Sequence, residues 1–456
     1  MHRGLRWLLS LLVGLTLVGG VGAGAAQAED PASPAPVRAS IQGFWQARSN
    51  FARSNFARSN FARSNFGTLG EQTPSSFGLE SSPSGEVVQR ALDGAAYQCG
   101  PTGFDAYVDG LLAGLTSDEL SFLLDSGVLE FPAMEAVVYG TANRDAVPRG
   151  HDGHELTKTL KDLQKFWPTT SRDLQLVSMD GEMLRDPERI SRLLVRLYAF
   201  TPADADGYAA AVARVIRDVR VFDDGESPLF SLNAFAFSGV GDPDPSIAAL
   251  PPKIVVGEGF LDALDELDVD DVGGSVVLAH EYAHQLQVQD DLFGTATGPE
   301  ANRRVELMAD AFAGYFAVHP KGLSLNARRV TQVQQTFFEL GDCSFDDPGH
   351  HGTPEQGRRA SAWAATLASS TKPRGQVLPA AQLAALFDEE LPVIVAADAP
   401  VADVPVADVP VADVPVADVP VADVPVADVP VADVPVSDVP AADVPVSDVP
   451  VPDVQR

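Results

Sequence analysis

The chain is 456 residues long, 45% hydrophobic and 21% charged, with a formal net charge of −31 at pH 7. So negative a balance excludes nucleic acid as an obvious partner and favours solubility.

Residues 1–28 read as a secretory signal peptide. Arg3 and Arg6 form its basic start, Trp7 to Gly20 its apolar run, and Ala26-Gln27-Ala28 a small-x-small cleavage site. The rival reading is an uncleaved anchor. No other stretch approaches transmembrane length, so the expected mature protein has no stable membrane insertion and is secreted, or periplasmic at the cell envelope. Residues 29–84 are rich in Pro, Ser and Gly and hold four tandem copies of Ala-Arg-Ser-Asn-Phe from Ala47 to Phe66. A period of five matches neither helix nor strand, so the segment is expected to be a disordered linker. Residues 85–225 read as a helical subdomain, with helices over Glu86–Gln98, Phe104–Leu115, Ser117–Leu124, Glu155–Phe166, Pro187–Ala199 and Ala203–Val219. It shows no recognisable chemistry and is read as one wall of a cleft, with an inhibitory pro-segment as the alternative. His151-Asp152-Gly153-His154-Glu155 is read as a polar loop before a helix rather than a second metal cluster, because histidines three apart in a Gly-containing loop fix no geometry.

From residue 226 the pattern changes. Leu229–Phe237 and Lys253–Gly257 are apolar runs bounded by Gly and Pro and are expected as strands. The acids from Asp262 to Asp271 lack the ordered spacing of a calcium loop and read as a charged helix face. Helices are expected at Asp271–Gln289, Pro299–Val318, Asn326–Leu340 and Pro354–Leu367, the last capped by Thr353. Residues 373–399 read as a linker. Residues 400–456 are a low-complexity tail repeating Pro-Val-Ala-Asp-Val, and proline at every fifth position forbids a continuous helix. This acidic stalk is a candidate for contact with cell-envelope components.

The most informative residues are His280-Glu281-Tyr282-Ala283-His284, followed by Glu306 and Asp310. Positions i and i+4 share a helix face, so His280 and His284 can hold one metal ion together. Glu281, one step round, is placed to reach a water rather than the metal. Glu306 supplies a third ligand if the chain turns back through Gly294 and Gly298, and Asp310 is placed to orient an imidazole. The bland alternative, an ordinary helix pair with a His/Glu cluster, would bury costly polar groups without reward.

These residues, with His351-Gly352-Thr353-Pro354-Glu355-Gln356 and the stretch from Asn233-Ala234-Phe235-Ala236 to Lys253-Ile254-Val255-Val256, resemble gluzincin zinc peptidases, bacterial neutral zinc metallopeptidases in particular. The resemblance covers about residues 228 to 370 and departs at Gly357, where the family more often has Arg directly after Gln. It implies an α+β, mainly helical, compact zincin-like catalytic domain over 226–372, with a small sheet and a zinc helix pair. It also implies one Zn2+ on His280, His284 and Glu306, Glu281 as general base, and a peptide or protein substrate. His351 and Tyr315 are candidate oxyanion stabilisers. The two cysteines, Cys99 and Cys343, allow one pairing, favoured in an oxidising compartment. The alternative function is a non-catalytic, zinc-stabilised surface or binding protein.

Overall fold

The structure is a computed structural model that describes residues 33–58, 101–140, 151–169, 173–198, 200–242, 244–270, 272–294, 296, 298–343 and 350–396, with side chains for all of these except 47–58, 151 and 396. The signal segment, the expected helix Glu86–Gln98, Cys99 and the repeat tail lie outside the described residues. In chain order the elements are α1 (Ala35–Arg58), α2 (Gly103–Leu112), α3 (Ser117–Ser126), α4 (Phe131–Tyr139), α5 (His151–Phe166), β1 (Gln175–Met179), α6 (Pro187–Leu197), α7 (Pro202–Asp218), β2 (Ala234–Phe237), the short α8 (Pro245–Ala248), β3 (Lys253–Gly257), α9 (Glu258–Glu266), α10 (Gly273–Asp290), α11 (Pro299–Val318), α12 (Ala327–Glu339), α13 (Pro354–Ser370) and α14 (Ala380–Ala396). The fold is mainly helical around one small sheet, as expected for the coarse class.

The sheet has the order β1-β3-β2, with β1 parallel and β2 antiparallel to the central β3. Successive side chains along a strand point to opposite faces, and here each face meets its own core. Val177, Met179, Val255, Phe235 and Phe237 join one core with α2, α3, α4, α6 and α7. Leu176, Ile254 and Val256 join the other, which holds α10, α11, α13 and α14. The sheet is thus the middle layer of a helix–sheet–helix sandwich. Because β1 comes from the N-terminal block and pairs with Lys253 to Gly257, that block is not a separable subdomain, and the expected boundary at 225/226 is corrected. The same pairing argues against reading the block as a removable pro-segment.

Four further expectations are corrected. The segment 29–84 contains a helix: α1 buries Val37, Ile41 and Phe44 at i, i+4 and i+7. The Phe44 ring meets Phe122 and Tyr208 edge-on at 4.9 and 5.4 Å between centroids. The expected linker 373–399 contains α14, whose Leu383, Phe387 and Ile394 are buried and whose Asp388 takes a two-pronged salt bridge from Arg304 of α11. Residues 151–155 are the first turn of α5 and not a loop, and of the run Leu229–Phe237 only Ala234–Phe237 is strand, Pro228–Ser231 being a 3-10 turn.

Ends of elements follow local chemistry. Thr353 and Gln356 form a reciprocal capping box that starts α13. Pro299 opens α11 directly after Gly298, whose φ of +95° suits glycine alone. Lys253 is the unexpected residue of β3: only 2% exposed, it donates from Nζ to the carbonyls of Val137 and Gly140 at 2.5 and 2.6 Å, closing the C-terminal end of α4. Burial pushes its ammonium down to about 8. Among the described residues, no helix is long and apolar enough to cross a membrane.

Candidate metal centre

Helices α10 and α11 are buried over most of their length, which is the environment of an internal helix. Their polar residues are therefore costly unless they satisfy one another. Gln285 anchors α10 to the sheet by donating to the carbonyls of Phe237 and Lys253, each at 3.1 Å. Positive-φ turns at Gly294 and Gly298 carry the chain back into α11, as the spacing required.

The returning helix brings Glu306 Oε2 to 3.3 Å from Nε2 of both His280 and His284. The two Nε2 atoms are 3.0 Å apart. These three residues form the one group among the described residues whose donor atoms, all within 4.8 Å of one another, could hold a metal ion. The hydrogen bonds on the far side of each ring fix what the pocket presents. His280 Nδ1–H donates to Asp310 Oδ1 at 2.9 Å. His284 Nδ1–H donates to Gln287 Oε1 at 2.7 Å, and the orientation of that amide is set by its Nε2–H, which donates to Val305 O at 2.8 Å. With the Nδ1 hydrogens fixed in this way, each ring when neutral presents a bare Nε2 lone pair to the inside. Glu306 Oε2 is buried and accepts no well-aligned hydrogen bond. Three acceptors converge on one space, an arrangement that repels itself until a cation or a proton fills it. The donor set of two imidazoles and one carboxylate fits a divalent metal with nitrogen and oxygen ligands.

The electrostatics agree. Burial disfavours charge on His284, yet the Glu306 carboxylate outweighs it and raises the imidazole to about 9. His280 is opposed by burial in the same way and is held well above the ordinary range by its hydrogen bond to Asp310 and by the Glu306 carboxylate beside it. Glu306, despite burial, is held well below the carboxylate range by the two histidines. Asp310 moves up, because its burial outweighs His280. Glu281 is 3% exposed and close enough for its charge to act on both rings.

Around this centre lies an arch that sequence reasoning reached only in part. Asp342, after α12, accepts from His350 Nδ1 at 2.5 Å and from the His351 main-chain N–H at 2.6 Å. The two histidines hold its carboxyl well below the usual range in spite of burial. Asn302 of α11 donates to the His350 carbonyl at 3.2 Å. His351, with a side chain 34% exposed, is near enough to lower Glu306 and Asp310 through its charge. His351 thus stands beside the centre. Tyr315 does not: nine residues beyond Glu306 it is turned roughly 180° round the helix, and its hydroxyl donates to Gln376 O and accepts from Leu378 N. It belongs to the aromatic core with Trp167 and His319. The departure at Gly357 also has a physical reason here, since a β-carbon at 357 would lie 3.0 Å from Asp310 Oδ2 and 2.6 Å from Phe337 O. Cys343 is buried and disulfide-bonded; Cys99, the other cysteine, is outside the described residues.

Gln287, Asp342, Asn302 and Gly357 were not singled out as site residues. Gln287 had a readable signal, lying three residues after His284 on one helix face. The others are brought in by loops and helix packing, for which no short-range pattern exists. The chain matches no protein-family model, and neither a curated protein nor a solved structure matches it.

Proposed function

We propose that the protein is an exported zinc-dependent endopeptidase of the gluzincin kind. The observation that carries this reading is the convergence of three acceptor atoms, from the largely enclosed rings of His280 and His284 and the buried Glu306, beside a buried carboxylate that is not among them. Three protein ligands are the number that leaves a position for water or substrate, whereas a structural zinc site closes with four. A zinc ion held by these residues would supply Lewis-acid activation of water and of the scissile carbonyl.

The chain's own residues do the rest. Glu281, immobilised in α10, accepts a proton from the attacking water and returns it to the departing amine. Asp310 keeps the His280 ring turned toward the centre. His351, held from behind by Asp342, offers a partly exposed imidazole to the developing negative charge. The substrate is a peptide or protein chain, as the resemblance at His280–His284 and Glu306 implies, and the setting is outside the cytoplasm, in keeping with the signal-like pattern of residues 1–28.

The test is hydrolysis of an unstructured protein by the full-length chain loaded with zinc, beside Glu281→Gln at equal zinc content. Loss of turnover by about 10²–10⁴ with zinc retained is the expected result. Equal activity in the two proteins refutes the proposed role of Glu281, and inactivity of both leaves the peptidase reading without support.

A further inference from the structure

Two ligands of this centre come from different helices, and one amide joins them. Gln287 is 1% exposed. Its Oε1 accepts from the ring of His284, and its Nε2 donates to the carbonyl of Val305, the residue directly before Glu306. We propose that Gln287 is a positioning residue for the metal: a neutral clamp that fixes His284 with its hydrogen on Nδ1 and at the same time sets the distance between α10 and α11 at the ligand pair. The proposal rests on the metal-site reading above and adds to it.

Glutamine alone among the ordinary side chains performs both halves with this reach. A glutamate at 287 keeps an acceptor for His284 but, when ionised, turns a second anionic oxygen on Val305 O. Asparagine is one methylene too short to follow the same path, and methionine fills the space without either bond. The two histidines are therefore held unequally, His280 by the carboxylate of Asp310 and His284 by a neutral amide. A neutral partner adds no negative charge to a pocket already containing Glu281, Glu306 and Asp310, and it withstands no competition from water, since it lies wholly inside the protein.

The experiment uses the full-length chain with cobalt(II) and with zinc. In the cobalt form, hyperfine-shifted proton resonances that disappear in deuterium oxide report the Nδ1–H of each ligand histidine. Two slowly exchanging resonances are expected in the wild type. In Gln287→Met the one from His284 is expected to be lost to fast exchange while that from His280 persists, and zinc affinity, measured by competition with a chromophoric chelator, falls about 10- to 100-fold. Gln287→Glu is expected to recover the resonance, because it restores the acceptor. Two slow resonances and unchanged zinc affinity in Gln287→Met overturn the proposal, as does a lowered unfolding midpoint of the metal-free variant with both resonances intact, which marks a packing role alone. Only one slow resonance in the wild type overturns it without need of any variant. Failure of the wild type to take up cobalt or zinc removes the metal reading itself, a result separate from all of these.

Discussion

Loading the centre with zinc at pH 8 should expel close to one proton. An imidazole with its ordinary value of 6.5 is only about 3% protonated at that pH, and binding a metal to it releases almost nothing. His284 sits at about 9 because Glu306 lies 3.3 Å away inside the protein, so about 0.9 of a proton is bound before the metal arrives. Two imidazolium groups cannot both point inward across the 3.0 Å between the Nε2 atoms, and so the pocket is expected to hold one proton, shared between the rings, and not two. Titration calorimetry of the metal-free chain with zinc, repeated in buffers of different ionisation enthalpy, counts the protons directly. Release near zero at pH 8 would refute the reasoning, for it would mean that Glu306 does not face the rings in the empty pocket. The same linkage governs stability. A histidine that binds its proton more tightly in the fold stabilises the metal-free protein fully below about pH 6.5, and that contribution is lost as pH rises through about 9. The zinc-loaded protein, with no such proton to lose, is expected to keep its melting temperature across that interval.

Two substitutions probe the surroundings. Gly357→Ala places a β-carbon 2.6 Å from Phe337 O and 3.0 Å from Asp310 Oδ2; the start of α13 must retreat, costing about 1–3 kcal/mol of stability by overpacking and weakening zinc binding through Asp310. A stable variant with wild-type zinc affinity in chelator competition shows that the contact has no bearing on the centre. Phe44→Ala, in the helix of the presumed linker, removes a fully buried ring that touches Phe122 and Tyr208 and is expected to cost about 3–5 kcal/mol in urea denaturation. A change under about 0.5 kcal/mol, the usual surface result, would mean that α1 does not belong to the core.

What could be read from the sequence was what short-range geometry fixes. His280 and His284 declare themselves because one helix turn separates them, and Glu306 and Asp310 because the next helix repeats the same interval. The start of α11 at Pro299 and the full span Lys253–Gly257 were legible for similar reasons, a proline after a turn and an apolar run between Pro and Gly. Composition misled where a short amphipathic stretch sits in a biased segment: Val37, Ile41 and Phe44 are spaced as a helix face, but the segment 29–84 that holds them is rich in Pro, Ser and Gly. Pro392 and the position between recognisable regions hid α14 in the same way. Strand β1 was missed because Gln175 and Ser178 dilute its pattern, and its partner, β3, lies more than seventy residues on. Nothing local foretells that Lys253, in the middle of a hydrophobic run, reaches back to end α4.

That lysine has a wider consequence. Its side chain grips the end of α4 while its own carbonyl is gripped by Gln285 of the helix that carries both histidines. One residue therefore holds the two layers together through the sheet. Local opening in proteins follows contiguous cooperative units, and here the N-terminal helices and the helices of the centre pack on the same strands, so the two layers are expected to open together. Residues remote from the centre are thus expected to set how long it survives heat, and a cut in the N-terminal half is expected to disturb a site to which that half contributes no candidate ligand.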